Sequence, residues 1–118
     1  MDNSITEVLG DFLQINGVSG VAIVGRDGFV IDSTSDVDVN IDALGAMVAT
    51  SFSTSEALAS EFNLDALEQN IIEFTNGKVL MTSVHDDILA IFAEKEAVIG
   101  GVRYTMKKYL PKLLSTLQ

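Results

Sequence analysis

A chain of 118 residues, 47% apolar and 20% charged, has the mass and makeup of one globular domain with its own core, so residues 1–118 read as a single domain. It has no cysteine, which excludes disulfides, thiolate metal sites and thiol catalysis, and its net charge of −10 opposes general nucleic-acid binding because phosphates are repelled. The charge is uneven: residues 1–94 hold sixteen acidic groups against Arg26 and Lys78, a balance of −14, whereas residues 95–118 hold Lys95, Arg103, Lys107, Lys108 and Lys112 against Glu96, a balance of +4.

No apolar run approaches the roughly 20 residues that span a bilayer. The opening Met1-Asp2-Asn3-Ser4 has no basic signal segment, and Asp2 stands where myristoylation needs glycine. A soluble, cytoplasmic protein without membrane insertion is expected.

Ile5, Val8, Leu9, Phe12 and Leu13 recur at helical spacing and predict a first helix with one buried stripe. Ser4 and Glu7 form a capping-box pattern at its start, and Asn16-Gly17 is a stop signal. Strand 1 follows over Val18 to Val24, then the turn Gly25-Arg26-Asp27-Gly28, then strand 2 from Phe29 to about Ser33. Residues 34–40 are polar and acidic and read as a loop.

Helix 2 is predicted from about Ile41 to Phe62, capped by Asn40. Leu44, Val48, Phe52, Leu58 and Phe62 make a large apolar face that should pack on the sheet. Ala43, Ala46, Thr50, Thr54 and Ala57 make a second stripe of small residues that lets another backbone approach.

Strand 3 (about Asn70 to Thr75), the hairpin turn Asn76-Gly77, strand 4 (Lys78 to Val84), the turn His85-Asp86-Asp87 and strand 5 (Ile88 to Ala93) follow. Helix 3 runs from near Val98 through Leu117, burying Val102, Met106, Tyr109, Leu110, Leu113 and Leu117. Pro111 should kink or break it near Lys107. Strands 1 and 5 are apolar on both faces and belong in the middle of the sheet. Strand 3, with Glu73 between Ile72 and Phe74, suits an edge or a subunit contact. Helices 1 and 3 can cover one face of the sheet and helix 2 the other.

This order of elements, with Val18-Ser19-Gly20-Val21-Ala22-Ile23-Val24, Arg26-Asp27-Gly28-Phe29-Val30-Ile31, Asn40-Ile41-Asp42-Ala43-Leu44-Gly45-Ala46 and Ile99-Gly100-Gly101-Val102-Arg103, resembles the roadblock (dynein light-chain-like) family across essentially the whole chain. The resemblance implies an α/β fold of three α/β/α layers with profilin-like αββαβββα topology. Its five-stranded, mostly antiparallel sheet would have the order 2-1-5-4-3. It further implies a homodimer joined through strand 3 and helix 2, here Ala43, Met47, Ile71, Ile72, Glu73 and Phe74. Family members bind small Ras-like GTPases, and a bacterial gliding member stimulates its partner's GTP hydrolysis; others are dynein light chains or scaffold subunits. The family supplies no catalytic residues. Pro111 is a departure from its pattern. On this reading a proline at Ile72 would remove a ladder amide from strand 3 and leave monomers.

The residues leave little room for chemistry. His85 beside Asp86 and Asp87 reads as a solvated turn rather than a nucleophile's base. Asp36, Asp38, Asn40 and Asp42 have calcium-loop spacing, but Ile41 and Met47 occupy the positions that need glycine and glutamate, so no metal is expected. Gly17, Gly20, Gly25 and Gly28 make no phosphate cradle and no Walker A motif exists, so the chain is not itself a GTPase. Gly100-Gly101 with Arg103 could hold an anion, but reads first as a close helix entry. The basic face of helix 3 reads first as a solvated face, with an acidic partner or anionic lipid as the alternative. No cofactor is expected.

The function that fits is a non-enzymatic homodimeric regulator or scaffold that binds a small Ras-like GTPase or another roadblock-type protein. The proposed contact is the small, uncharged strip Ala46, Thr50, Ser53, Thr54 and Ala57, which costs little to desolvate. The alternatives are a light-chain or scaffold subunit with a non-GTPase partner, and a profilin/PAS-like small-molecule sensor, which would need a partly polar cavity.

Overall fold

Runs of five to eight residues, apolar in all but one case, make the strands here, and 3.6-periodic stripes make the helices. In the computed structural model, which describes residues 4–117, the order is α1 (Ile5–Leu13), β1 (Val18–Val24), β2 (Val30–Ser35), α2 (Ile41–Glu61), β3 (Asn70–Phe74), β4 (Gly77–Val84), β5 (Asp87–Glu94) and α3 (Ile99–Thr116). The sequence reading of Met1 to Asn3 lies outside the described residues. No described helix is long and apolar enough to cross a membrane.

The strands form one sheet in the order β2-β1-β5-β4-β3, every neighbouring pair antiparallel. This is the expected order, with β1 and β5 inside and β2 and β3 as edges. Two apolar layers flank the sheet. On one face Val8, Leu9 and Phe12 of α1 and Val102, Met106 and Leu113 of α3 close over Val21, Ile23, Leu80, Leu89 and Ile91. On the other, Val48, Ala49 and Phe52 of α2 close over Ala22, Val24, Met81, Ile88 and Ala90. The Phe12 and Tyr109 rings meet edge to face at 5.7 Å and pin α1 to α3.

The helix ends follow from named caps. The Ser4 hydroxyl accepts from the Glu7 amide at 3.1 Å, and the Asn40 side chain accepts from the Ala43 amide at 3.1 Å. At the far end of α2 the Leu64 amide bonds Ala59 O and the Asn63 amide bonds Ser60 O, with Asn63 left-handed at φ 56°: a Schellman stop with asparagine in the usual glycine place. Gly17 takes φ 90° between α1 and β1, and a Cβ there would fall 2.7 Å from Ala97 Cβ.

Four expectations are corrected. Leu58 and Phe62 do not pack on the sheet; they are 59% and 67% exposed. The face that is buried is Gly45, Val48, Ala49, Phe52 and Ala59. At 3.6 residues per turn, Leu58 lies about 240° around from Phe52. Pro111 does not break α3, which continues to Thr116. Pro111 is exposed, so the Lys107 carbonyl that loses its partner faces water, while Met106 and Leu113 hold both sides of it in the core. The hairpin turn is Thr75-Asn76, with Gly77 already paired to Phe74 in the ladder. Strand β2 also extends to Ser35, because Thr34 and Ser35 pair with Val21 and Gly20.

Candidate protein-interaction surface

Helix α2 lies over β1, β2 and β5, and the sheet reaches past it toward β3. It meets β3 through the Asn70 amide, which donates to Ser55 Oγ at 2.9 Å and to Ser51 Oγ at 3.4 Å. The helix is therefore wetted along its outer side. Ala46, Thr50, Ser53, Thr54 and Ala57 are all exposed there, on the side away from Phe52. Thr54 turns its hydroxyl back onto Thr50 O at 2.8 Å, and the strip carries no charge. Ala46, Thr50, Ser53 and Thr54, with Arg26, Asp27 and Gly28, line a groove of about 360 Å³ between α2 and the β1–β2 turn.

That turn is built by its own residues. Gly28 sits at φ 91°, its amide bonds Gly25 O at 2.9 Å, and Asp27 Oδ1 accepts from the Phe29 amide at 3.1 Å. Arg26 leaves the turn and is held from three sides. Its Nε donates to Asp86 O at 3.1 Å, its guanidinium pairs with Glu56, and it lies 5.1 Å from the centre of the Phe52 ring. Sequence reasoning places Arg26 in a turn and misses this role, since its partners are 30 and 60 residues away.

The residues assigned to the dimer contact divide between two places. Ala43 is half-buried and Met47 is 62% exposed on α2. On the edge strand, Ile72 packs inward on the α2 layer. Ile71 and Glu73, opposite Leu80 and Lys78, face the α1/α3 side. Phe74 faces the α2 side and is 57% exposed. The structure thus brings Ile72 and Phe74 to one face with α2, and Ile71 and Glu73 to the other.

The ladder register decides which backbone groups are free. A two-residue turn closes on a hydrogen-bonded pair, so Phe74–Gly77, Ile72–Val79 and Asn70–Met81 bond within the hairpin. The amides and carbonyls of Ile71 and Glu73 then point out of the sheet edge. The ladder amide that a proline at Ile72 would remove is therefore one bonded to Val79 within the chain's own hairpin.

Exposed apolar side chains gather beside this edge: Met47 and Leu58 on α2, Phe62 at its C-cap, Leu64 after it, Ile71 and Phe74 on β3. Leu58 and Phe62 could have been found from the sequence by following the Gly45–Val48–Phe52–Ala59 spacing instead of the largest apolar residues. His85 lies in its turn at φ 55° with Nε2 2.8 Å from Leu114 O, tying the β4–β5 turn to α3. Among the described residues no three His, Asp or Glu side chains converge as metal ligands.

A family model for the Roadblock/LC7 domain matches residues 4–93. The chain is 34% identical over 113 residues to the uncharacterized protein MJ0714 of Methanocaldococcus jannaschii, with 96% of each chain covered. Among solved structures, MglB of Myxococcus xanthus superposes with a TM-score of 0.88 over 96% of this chain and 94% of that one, at 19% identity. A Roadblock/LC7 domain from Streptomyces avermitilis superposes at 0.84 over 99% and 98%, at 16% identity.

Proposed function

Because the chain belongs to the Roadblock/LC7 family, we propose that it is a non-enzymatic homodimeric regulator or scaffold of the cytoplasm that docks a small Ras-like GTPase. The observation that carries this reading is the open β3 edge. Ile71 and Glu73 offer unpaired ladder groups there, beside the exposed Met47, Leu58 and Phe74. An unpaired apolar edge is a hazard to a solitary chain, and a two-fold axis along β3 satisfies it at once. The two α2 helices then lie together above the joined sheet and present their small strips as one surface.

The client is docked through Ala46, Thr50, Ser53, Thr54 and Ala57. If hydrolysis in the client rises, it rises because the client's own groups are repositioned. Arg26 is engaged by Glu56, Asp86 and Phe52, and Arg103 lies on α3, across the sheet from the strip, so neither stands ready as an arginine finger. A small-molecule sensor is disfavoured. The apolar cleft beside Leu44 and Phe92 holds only about 120 Å³, and the larger groove of about 360 Å³ beside Arg26 is open to solvent rather than an enclosed site of roughly 300–1,000 Å³.

The test is titration of the protein into a Ras-like GTPase from the same genome, loaded with GDP or with a non-hydrolysable GTP analogue, with hydrolysis measured in parallel. Binding in one nucleotide state, weakened at least tenfold by Thr50→Arg, is the expected result. No binding in either state refutes the GTPase reading, and capture of a partner without a nucleotide site favours the scaffold alternative.

A further inference from the structure

The acidic loop and the basic helix lie on opposite faces of the sheet, and apart from Lys112, which pairs with Asp11, their charges have no ion pair among the described residues. The loop of residues 36–40, the edge strand β2 and Leu44 border a cleft of about 120 Å³, walled by Val37, Val39, Leu44 and Phe92 with Ser33, Thr34 and Ser35 of β2 alongside. It is smaller than the roughly 150 Å³ dry cavity that encloses a benzene ring, but it opens to solvent, so it can take one face of an aromatic ring while the rest stays outside. Asp36 and Asp38 stand exposed on the loop, and Asp42 stands exposed in the first turn of α2. The ion pairs among the described residues are Arg26–Glu56 and Lys112–Asp11, so these three carboxylates have none.

Helix α3 carries the complement. Tyr104 is 73% exposed, and exposed Lys107 and Lys108 follow it one turn on, along the same side. Arg103 is its neighbour. These three cations also lack an ion pair among the described residues. The helix packs on the α1 side of the sheet, whereas Leu44 and Phe92 put the cleft on the α2 side. A chain cannot fill its own cleft with its own α3, so the occupant comes from another molecule.

We propose that a second copy of this chain seats the Tyr104 side of its α3 in this cleft, with Arg103, Lys107 and Lys108 against Asp36, Asp38 and Asp42. The ring lays one face in the apolar space and the charges orient it. The two patches differ, so every molecule offers one of each and the contact repeats head to tail, closing as a ring or running on as a filament. Neither β3 nor the outer strip of α2 takes part. The contact therefore adds to whichever base unit the β3 edge makes, and its test does not depend on that edge.

The experiment is sedimentation of the full chain from micromolar to millimolar concentration, with circular dichroism melts as the folding control. The expected result is a mass that climbs above the base unit with concentration at low salt and falls back in about 1 M salt, where screening shortens to roughly 3 Å. Tyr104→Ala removes the climb. So does the pair Lys107→Glu with Lys108→Glu, and so does the pair Asp36→Lys with Asp38→Lys. Mixing the two charge-reversed proteins restores it, because each then offers what the other lacks. A constant mass at low salt overturns the proposal, even where a foreign basic, aromatic peptide binds the cleft. A climb untouched by Tyr104→Ala and by both reversals also overturns it.

Discussion

A Cβ placed on Gly45 would lie 2.1 Å from the carbonyl oxygen of Gly28, so α2 crosses the β1–β2 turn backbone against backbone. This contact sets the depth of the groove lined by Arg26, Thr50 and Ser53. It also explains why glycine stands within the first turns of a 21-residue helix. Alanine would gain about 1 kcal/mol of helix propensity there. A gap of that size nevertheless cannot admit a methyl group, and overpacking costs about 1–3 kcal/mol or more. Gly45→Ala is therefore expected to lower the urea midpoint with the slope unchanged. A midpoint at or above wild type would mean that the helix can slide off the turn.

At the open edge, Glu73→Pro removes an amide that points out of the sheet, and Ile72→Pro removes one that bonds to Val79. Glu73→Pro is expected to leave a folded monomer by light scattering, with most of its thermal stability intact. Ile72→Pro is expected to lose stability as well as assembly. A dimer that survives Glu73→Pro would move the seam away from β3.

Arg26 and Glu56 form a half-exposed pair, with side chains 38% and 37% accessible. Such pairs contribute about 0.2–1 kcal/mol. A double-mutant cycle with Arg26→Met and Glu56→Gln should return a coupling within that range, smaller at high salt. Arg26→Met alone should cost more than Glu56→Gln alone, because it also removes the bond to Asp86 O and the contact with the Phe52 ring. Equal losses would mean that the ion pair is the whole of the clamp.

The Schellman stop gives a further measurement. Asn63 holds φ 56°, a region that costs a residue with an ordinary Cβ about 1–2 kcal/mol. Asn63→Ala should lower stability by about 1 kcal/mol, and Asn63→Gly should be neutral or stabilising. If both variants melt together, the backbone there relaxes out of the left-handed region.

Much of the architecture could be read directly from residue order. Continuous apolar runs put β1 and β5 inside, and the α1 stripe and its Ser4 cap were plain, because local chemistry alone decides such features. Helix α2 was harder. Of its large apolar side chains Phe52 is buried but Leu58 and Phe62 are not, and small Gly45 is what lets it close on the turn. Pro111 misled in the same way: a local rule for breaking helices gave way to anchors on both sides and to water at the freed carbonyl. Of the small stripe read on α2, Ala46, Thr50, Thr54 and Ala57 are exposed with Ser53 beside them, and Ala43 is half-buried. Long-range contacts were invisible, as the Arg26 clamp illustrates, because nothing near Arg26 in the chain announces Glu56 or Asp86.

The proline inside α3 carries one more implication. The turns beyond it are tied to the rest by Leu113, by His85 on Leu114 O and by Lys112 on Asp11, but they lack the hydrogen bond that would have joined them across position 111. A helix with such a missing rung opens from its end in two stages instead of one. The amides after Pro111 should exchange with solvent deuterium sooner than those between Val102 and Tyr109, which makes the chain's last turns a small opening unit of their own.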